Sequence, residues 1–141
     1  MMFDFELETV RVPSTGDVLE VDGVKYHHHS NGGGLVAETA TVAETAYVGP
    51  FAVVCGSARV SENAKILERV HICDNAQISG NAQIWGCATV LENARVYGNA
   101  GVCGNAIISG DSEVYDNALI SGESMILDAT ICGDDEICAH C

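Results

Sequence analysis

A six-residue repeat runs through residues 34–141 of this chain and constrains its fold more than any other feature. Divided from Gly34 onwards, the segment reads GLVAET, ATVAET, AYVGPF and AVVCGS, and it continues through eighteen blocks with nothing inserted between them. Such a period indicates a solenoid, because each unit buries its apolar side only by stacking on its neighbours. We therefore divide the chain into a repeat region, residues 34–141, and an N-terminal segment, residues 1–33.

Each position of the block favours its own residue types. The third position is Val or Ile until the last two blocks, where Cys132 and Cys138 take its place, and the first position is mostly Ala. Apolar residues two apart, separated by variable ones, predict a short strand with one buried face. The fifth and sixth positions are mostly Gly, Asn, Asp or Glu, and Gly and Asn tolerate the backbone of a tight corner. We predict one strand and one corner per block, with Cys132 and Cys138 facing inwards.

The segment VGPFAV, residues 48–53, resembles the hexapeptide signature of the left-handed parallel β-helix family. In that family three blocks make one triangular coil, so the resemblance implies an all-β fold, a left-handed parallel β-helix of about six coils. The blocks rich in Asn-Ala and the sequence GGGLV at residues 32–36 resemble, more narrowly, hexapeptide-repeat proteins of phages and prophages. This second resemblance implies a phage-encoded protein, which would act in the cytoplasm of the host cell.

Three blocks per coil would place residues that are eighteen positions apart on top of each other. Ladders of identical side chains are typical of β-solenoids, since stacked amides can hydrogen-bond along the axis. We therefore predict an asparagine ladder along one corner, formed by Asn63, Asn81, Asn99 and Asn117.

The N-terminal segment, residues 1–33, lacks the repeat and carries strand and turn signals instead. Alternating apolar and polar residues predict a strand over residues 3–12. Asp22-Gly23, between residues 18–21 and residues 24–28, is a strong signal for a tight β-hairpin. We predict a small antiparallel β cap on the open N-terminal end of the solenoid, because an uncovered end exposes core and unpaired backbone.

The chain is strongly acidic, with a formal net charge of −14 at pH 7. This charge disfavours direct binding to nucleic acid or to anionic membranes. The sequence contains no signal peptide and no apolar run long enough to span a bilayer. We therefore expect a cytoplasmic protein.

The seven cysteines follow the repeat rather than a disulfide framework. Cys55 and Cys73 are eighteen residues apart, so they should lie as outward neighbours on adjacent coils, about 5 Å apart. That separation is short enough for a disulfide. In a reducing compartment we expect free thiols instead.

One outward face of the predicted solenoid is apolar along its length. A contiguous apolar strip on a protein surface usually marks an interface. Hexapeptide β-helices commonly form trimers around such a face, so the resemblance implies a homotrimer, with a dimer as the alternative. The predicted oligomer interface contains Leu35, Val53, Cys73, Leu91, Ile107, Met125 and Leu127.

A second outward face carries the residues that most resemble a ligand site, namely Arg59, Arg95, Tyr97 and Tyr115. Guanidinium groups and aromatic rings could hold a phosphate-bearing aromatic ligand by charge-assisted hydrogen bonds and stacking. The other interpretation is an ordinary solvated face on which arginine pairs with Glu113.

His71 is a weak candidate for catalysis and a further candidate for ligand contact. Acyltransferases of the family use a histidine general base in an inserted loop and basic residues near the C-terminal coils for the CoA phosphates. This chain has no inserted loop and no Lys or Arg after Arg95. The family's zinc-dependent hydration of carbon dioxide would need further histidine ligands beside His71, and these are missing.

Two other groups could be mistaken for metal sites. Alternation along a strand would split His27, His28 and His29 across two faces. The C-terminal Cys138, His140 and Cys141 lack the spacing of a zinc finger. We predict no metal site and no cofactor.

These features favour a non-enzymatic, oligomeric binding protein. If phage-encoded, it would act against a host defence or regulatory component, either by binding a partner protein through its acidic surface or by sequestering a nucleotide-like signal. Two alternatives stay open at this level. One is a minimal CoA-dependent acyltransferase that uses His71, and the other is a structural component of a virion or scaffold.

Overall fold

The computed structural model describes residues 18–139, and every regular element in that range is a β-strand. The strands form three sheets. The first contains β1 (Val18–Val21), β2 (Val24–His28), β3 (Leu35–Ala37), β6 (Val53–Val54), β9 (His71–Ile72), β12 (Thr89–Val90), β15 (Ile107–Ser109) and β18 (Met125–Leu127). The second contains β4 (Thr41–Val42), β7 (Arg59–Val60), β10 (Gln77–Ile78), β13 (Arg95–Val96), β16 (Glu113–Val114) and β19 (Thr130–Ile131). The third contains β5 (Tyr47–Val48), β8 (Lys65–Ile66), β11 (Gln83–Ile84), β14 (Gly101–Val102), β17 (Leu119–Gly122) and β20 (Glu136–Ala139).

From β3 onwards the chain visits the three sheets in turn, so that three successive strands make one coil. Within the coils, neighbouring strands of a sheet are parallel and in register. In the first sheet, for example, Thr89 pairs with His71 on one side and with Ile107 on the other. The predicted all-β solenoid with three blocks per coil is therefore confirmed, and it has about six coils.

Small and large apolar side chains alternate in the interior as the block pattern predicts. Ala64 and Ile66 are fully buried, and one coil later Ala82 and Ile84 are fully buried as well. The intervening residues Lys65 and Gln83 point outwards and are exposed. Each buried Ile contributes roughly 1.5–3 kcal/mol relative to an exposed one, so the stacked rows supply the main driving force for folding.

Acidic side chains at the corners bind the next coil. Glu62 has a left-handed backbone with φ of 58°, and its Oε1 accepts a hydrogen bond of 2.6 Å from the backbone N–H of Gly80. Glu92 binds the N–H of Gly110 at the same distance. A carboxylate that accepts a backbone N–H makes a strong, charge-assisted hydrogen bond. Part of the acidic composition therefore has a structural role.

The asparagine ladder is present along the same corner as Glu62 and Gly80. Asn81 donates to Asn99 at 3.4 Å, Asn99 to Asn117 at 3.5 Å, and Asn117 to Asp134 at 3.3 Å. These side-chain bonds begin at Asn81; Asn63, in the coil before, donates its backbone N–H to the carbonyl of Gly80 at 3.0 Å. A second ladder, not predicted, joins Asn75, Asn93 and Asp111 at 3.5 and 3.2 Å.

The last coil is one residue shorter than the others, which corrects the prediction of eighteen uninterrupted blocks. Val96 pairs with Val114 eighteen residues on, but Val114 pairs with Ile131 after only seventeen. The shortened block comprises residues 124–128, and Asp128 makes its corner with φ of 52°. Every position after Asp128 is therefore shifted by one.

This shift reverses which residues of the last blocks face the core. Ile131 and Ile137 pack against the hydrophobic core. The prediction that Cys132 and Cys138 face inwards is wrong: Cys132 is half-buried and Cys138 is exposed. Because Ile and Cys are adjacent in both blocks, the shift puts an Ile side chain in each inward position where the fixed period predicted a cysteine.

A β-hairpin precedes the first coil. β1 and β2 pair antiparallel around Asp22 and Gly23, whose φ angles of 51° and 81° give the turn type that the dipeptide favours. β2 also pairs antiparallel with β3, so the hairpin extends the edge of the first sheet. The strand predicted over residues 3–12 lies outside the described residues.

Candidate functional site

The residues predicted to bind a ligand are divided between two sheets. Arg59 and Arg95 are exposed on β7 and β13 of the second sheet, one on each side of Gln77. Tyr97 follows β13 on the same side. His71 is exposed on β9 of the first sheet, so it belongs to a different face. We call the outer side of the second sheet the Arg–Tyr face and the outer side of the first sheet the apolar face.

The two tyrosines of the Arg–Tyr face stack on each other. The rings of Tyr97 and Tyr115 are parallel to within 4°, and their centroids are 5.0 Å apart. The Tyr97 hydroxyl donates a hydrogen bond of 2.9 Å to Oε1 of Glu113. Burial, together with this bond to a carboxylate, raises the pKa of Tyr97 to about 12. A hydrogen bond with Cys132 and nearby charges raise the pKa of Tyr115.

Arg59 lies in a groove of about 320 Å³ that contains no acidic side chain. Its polar lining comes from hydroxyl and amide groups, which can donate hydrogen bonds to an anion. The lining therefore carries one positive charge beside several neutral donors. The side chains concerned are those of Thr41, Arg59, Ser61, Gln77 and Ser79.

Arg95 lies in a second groove, of about 420 Å³, that is more acidic. Asp111 and Glu113 line it together with Arg95, so the two carboxylates outweigh the one guanidinium. Such a groove repels phosphate and suits a neutral or cationic group better. The sequence predicted that Arg59 and Arg95 share a face, but not that carboxylates surround Arg95 and are missing from the groove of Arg59.

The apolar face brings together the residues predicted to form an oligomer interface. Leu35, Val53, Ile107 and Met125 belong to one row of paired strands, and Cys73, Leu91 and Leu127 follow in the adjoining row. Met125 and Leu127 are 75% and 64% exposed, although both are large and apolar. An apolar surface of this kind is costly to leave in water.

The histidines of the N-terminal hairpin bind the backbone of the first coil. His29 is buried, and its Nε2–H donates to the carbonyl of Ala46 at 2.9 Å. Nδ1 of His28 lies 2.8 Å from the carbonyl oxygen of Gly33. Within residues 18–139 no group of three or more His, Cys, Asp or Glu side chains is arranged to hold a metal ion. His140 and Cys141 lie outside the described residues.

One cluster was missed by the sequence analysis. The guanidinium of Arg69 lies 5.8 Å from the ring centre of Phe51, a cation–π contact at the corner between the third and first sheets. Both residues border a groove of about 440 Å³ next to Cys87. Phe51, Arg69 and Cys87 are successively eighteen residues apart, so the repeat itself contained the signal.

Comparison of the chain with protein families, with curated proteins and with solved structures finds no match. The described residues contain no helix that is long and apolar enough to cross a membrane. The fold and the two faces are therefore the basis for an assignment of function.

Proposed function

We propose that this protein is a non-enzymatic binding protein that assembles into a homotrimer through its apolar face and binds its ligand on the Arg–Tyr face. The observation that carries the proposal is the contrast between these faces. The first sheet presents a largely apolar row, interrupted by His71 and Thr89, that ends in exposed Met125 and Leu127. The second sheet presents Arg59 among neutral hydrogen-bond donors.

The proposal also covers the handedness of the coils, the origin of the protein and its target. We infer that the coils wind left-handed, because the VGPFAV segment fits the hexapeptide signature and the strands follow its three-block coil. We also propose a phage origin and action against a host defence or regulatory component, on the strength of the Asn-Ala-rich blocks. A second copy of the chain is the occupant that we assign to the apolar face, since trimers of such prisms bury this kind of surface.

Between the two modes of action, the geometry favours ligand sequestration over mimicry of nucleic-acid charge. Glu62 and Glu92 use their carboxylates to bind the next coil, so this part of the negative charge has a structural explanation. Arg59 has no such internal role among its groove residues, and it offers a single positive charge to an anion. We therefore assign the nucleotide-like ligand to the Arg59 groove rather than to Arg95.

Native mass spectrometry of the purified full chain tests the assembly. We expect a trimer for the wild type and monomers for Met125→Lys and Leu127→Lys, which place a charge in the apolar face. Ser79→Lys adds the same charge to the Arg–Tyr face and should stay trimeric. A monomeric wild type, or a trimer that survives both charged variants, would contradict the proposed interface.

Ligand binding is tested separately with adenosine monophosphate as the probe. We expect Arg59→Gln to weaken binding about tenfold or more, because one charge-assisted contact is lost, and Arg95→Gln to leave it nearly unchanged. Equal losses in the two variants would overturn the assignment to the Arg59 groove. Turnover of acetyl-CoA that is lost in His71→Ala would show instead that the protein is an acyltransferase.

A further inference from the structure

Two cysteines meet on the outer surface of the first sheet. Cys55 follows β6 and Cys73 follows β9, and these strands are paired in register through Val53 and His71. The backbone N–H of Cys55 donates to the carbonyl of Ile72 at 2.8 Å, which holds the two cysteines in register, one directly above the other on adjacent coils. Both side chains are half-buried in the single chain, so a small oxidant can reach them as long as no second copy covers the apolar face.

The two sulfur atoms are 2.7 Å apart, and both cysteines are free thiols. A disulfide needs Cα atoms about 4.4–6.8 Å apart and sulfurs about 2.05 Å apart. Adjacent strands of a sheet provide a spacing of about 4.8 Å, which lies within that range. The pair can therefore close into a disulfide by a small movement of the side chains, without rearrangement of the coils.

We propose that Cys55 and Cys73 form a reversible intramolecular disulfide, and that this pair is a redox-modification site that reacts with low-molecular-weight disulfides. The inference goes beyond the proposed function, because both thiols belong to one chain and the bond forms between its own coils. The pair lies on the apolar face, so the bond forms in a chain whose apolar face is not covered by a second copy.

The reaction balances as a two-step thiol–disulfide exchange. The Cys55 thiolate attacks one sulfur of the small disulfide, forms a mixed disulfide and releases one thiolate. Cys73 then loses its proton to solvent and attacks the Cys55 sulfur, which forms the internal bond and releases the second thiolate. The two protein thiols are oxidised, and one disulfide is reduced to two thiols.

The electrostatics of the pair suit this order of events. A hydrogen bond from the Cys73 thiol lowers the pKa of Cys55 to about 7, against the ordinary 9.0, so much of Cys55 is thiolate at neutral pH. The same hydrogen bond and partial burial raise the pKa of Cys73. Once Cys55 is a neutral mixed disulfide, that hydrogen bond is lost and Cys73 is free to ionise for the second step.

The positions of the basic residues allow the bond to be mapped by trypsin. Cleavage after Lys25, Arg59, Arg69 and Arg95 leaves Cys55 alone in peptide 26–59, whereas peptide 70–95 holds Cys73 and Cys87. In a Cys87→Ser background, a link between these two peptides can therefore only be the Cys55–Cys73 bond. The probe is oxidised glutathione, applied to the folded full chain at pH 7, after which the remaining thiols are alkylated under denaturing conditions.

We expect the two peptides to become linked within a single chain and to separate again when dithiothreitol is added. Cys55→Ser and Cys73→Ser should each abolish the link. Separate, alkylated peptides after oxidation, stable glutathione adducts, or links only between chains would overturn the proposal. The same oxidation is run in a Leu127→Lys background, in which the apolar face is uncovered, so an unreactive pair and a covered interface can be told apart. Nucleotide binding affects neither result.

The rate of alkylation of Cys55 tests the role of Cys73 directly. In the wild type, the rate of reaction with iodoacetamide should reach half its maximum near pH 7. Cys73→Ala, which removes the hydrogen-bond donor, should slow the reaction at pH 7 about five- to tenfold, since a higher pKa leaves less thiolate but a more nucleophilic one. The rate at Cys87 serves as the internal control, and an unchanged rate at Cys55 would contradict the thiol pairing.

Discussion

Val114 and Ile131 are paired neighbours in the core of the solenoid although only seventeen residues separate them. In the preceding coils the corresponding pairs are eighteen apart, as for Val96 and Val114. The five-residue block at 124–128 absorbs the difference at one corner, where Asp128 adopts a left-handed backbone. The repeat therefore tolerates the loss of one corner residue, provided that apolar side chains occupy the inward positions before and after that corner.

The change of register predicts opposite effects for two adjacent residues. Ile131→Ala should lower the free energy of unfolding by about 1–3 kcal/mol, because it removes a side chain that packs against the core. Cys132→Ala removes an outward, half-buried side chain and its hydrogen bond with Tyr115, so it should cost less than about 1 kcal/mol. Denaturant unfolding of the two variants measures both values. A larger loss of stability for Cys132→Ala than for Ile131→Ala would mean that Cys132 faces the core, as the uninterrupted six-residue register predicts.

Much of the fold could be predicted from the sequence because the interior of a narrow solenoid admits few side chains. Ala64 and Ile66 are examples. They are a small and a large apolar residue two positions apart, and this pattern identified them as the two inward residues of their block. The last coil was predicted wrongly because Ile131 and Cys132 are adjacent and both apolar, so a fixed period of six selected the cysteine. The sequence ATICGD at residues 129–134 fits the block better and contained the signal.

The candidate site was less predictable than the fold. The repeat placed Arg59 and Arg95 on one face correctly, because stacking fixes which backbone positions share a row. It could not show that Arg95 shares its groove with Asp111 and Glu113, since they belong to other blocks and the groove depends on side-chain directions. For the same reason the close approach of Cys55 and Cys73 was expected only as a possibility of backbone spacing.

The carboxylates at the corners should stabilise the stack of coils. Oε1 of Glu92 accepts the backbone N–H of Gly110 at 2.6 Å, and Glu92 itself has a left-handed backbone with φ of 60°. Glu92→Ala keeps the Cβ atom and its backbone strain but removes the acceptor, so we expect a loss of about 1 kcal/mol. For a domain of this size, the thermal midpoint should fall by about 2–4 °C.

Two variants separate the hydrogen bond from the charge in this prediction. Glu92→Gln keeps an acceptor oxygen and should lose less stability than Glu92→Ala. Glu44 is also exposed and its φ is not positive, so Glu44→Ala should leave the midpoint unchanged within error. Scanning calorimetry gives all three values. Equal midpoints for Glu92→Ala and Glu44→Ala would mean that the corner carboxylates do not hold the coils together.

The Tyr97–Glu113 hydrogen bond predicts a specific dependence on pH. The pKa of Tyr97 is raised from its ordinary value of 10.0 to about 12 by burial and by the bond to the carboxylate. A group whose folded pKa is raised stabilises the folded state fully below its unfolded pKa. This contribution is therefore lost as the pH rises from about 10 to about 12.

Glu113→Gln should lower the pKa of Tyr97 towards 10, because it replaces a charged acceptor by a neutral one and removes the nearby negative charge. The pKa can be followed by carbon NMR of labelled tyrosine, with the Tyr97 signal identified by its loss in Tyr97→Phe. Glu123→Gln makes the same change of charge at an exposed corner of the third sheet and should leave the pKa of Tyr97 where it was. A pKa near 10 for Tyr97 in the wild type, or an equal shift of this pKa in the two variants, would mean that the direct bond to Glu113 does not raise it.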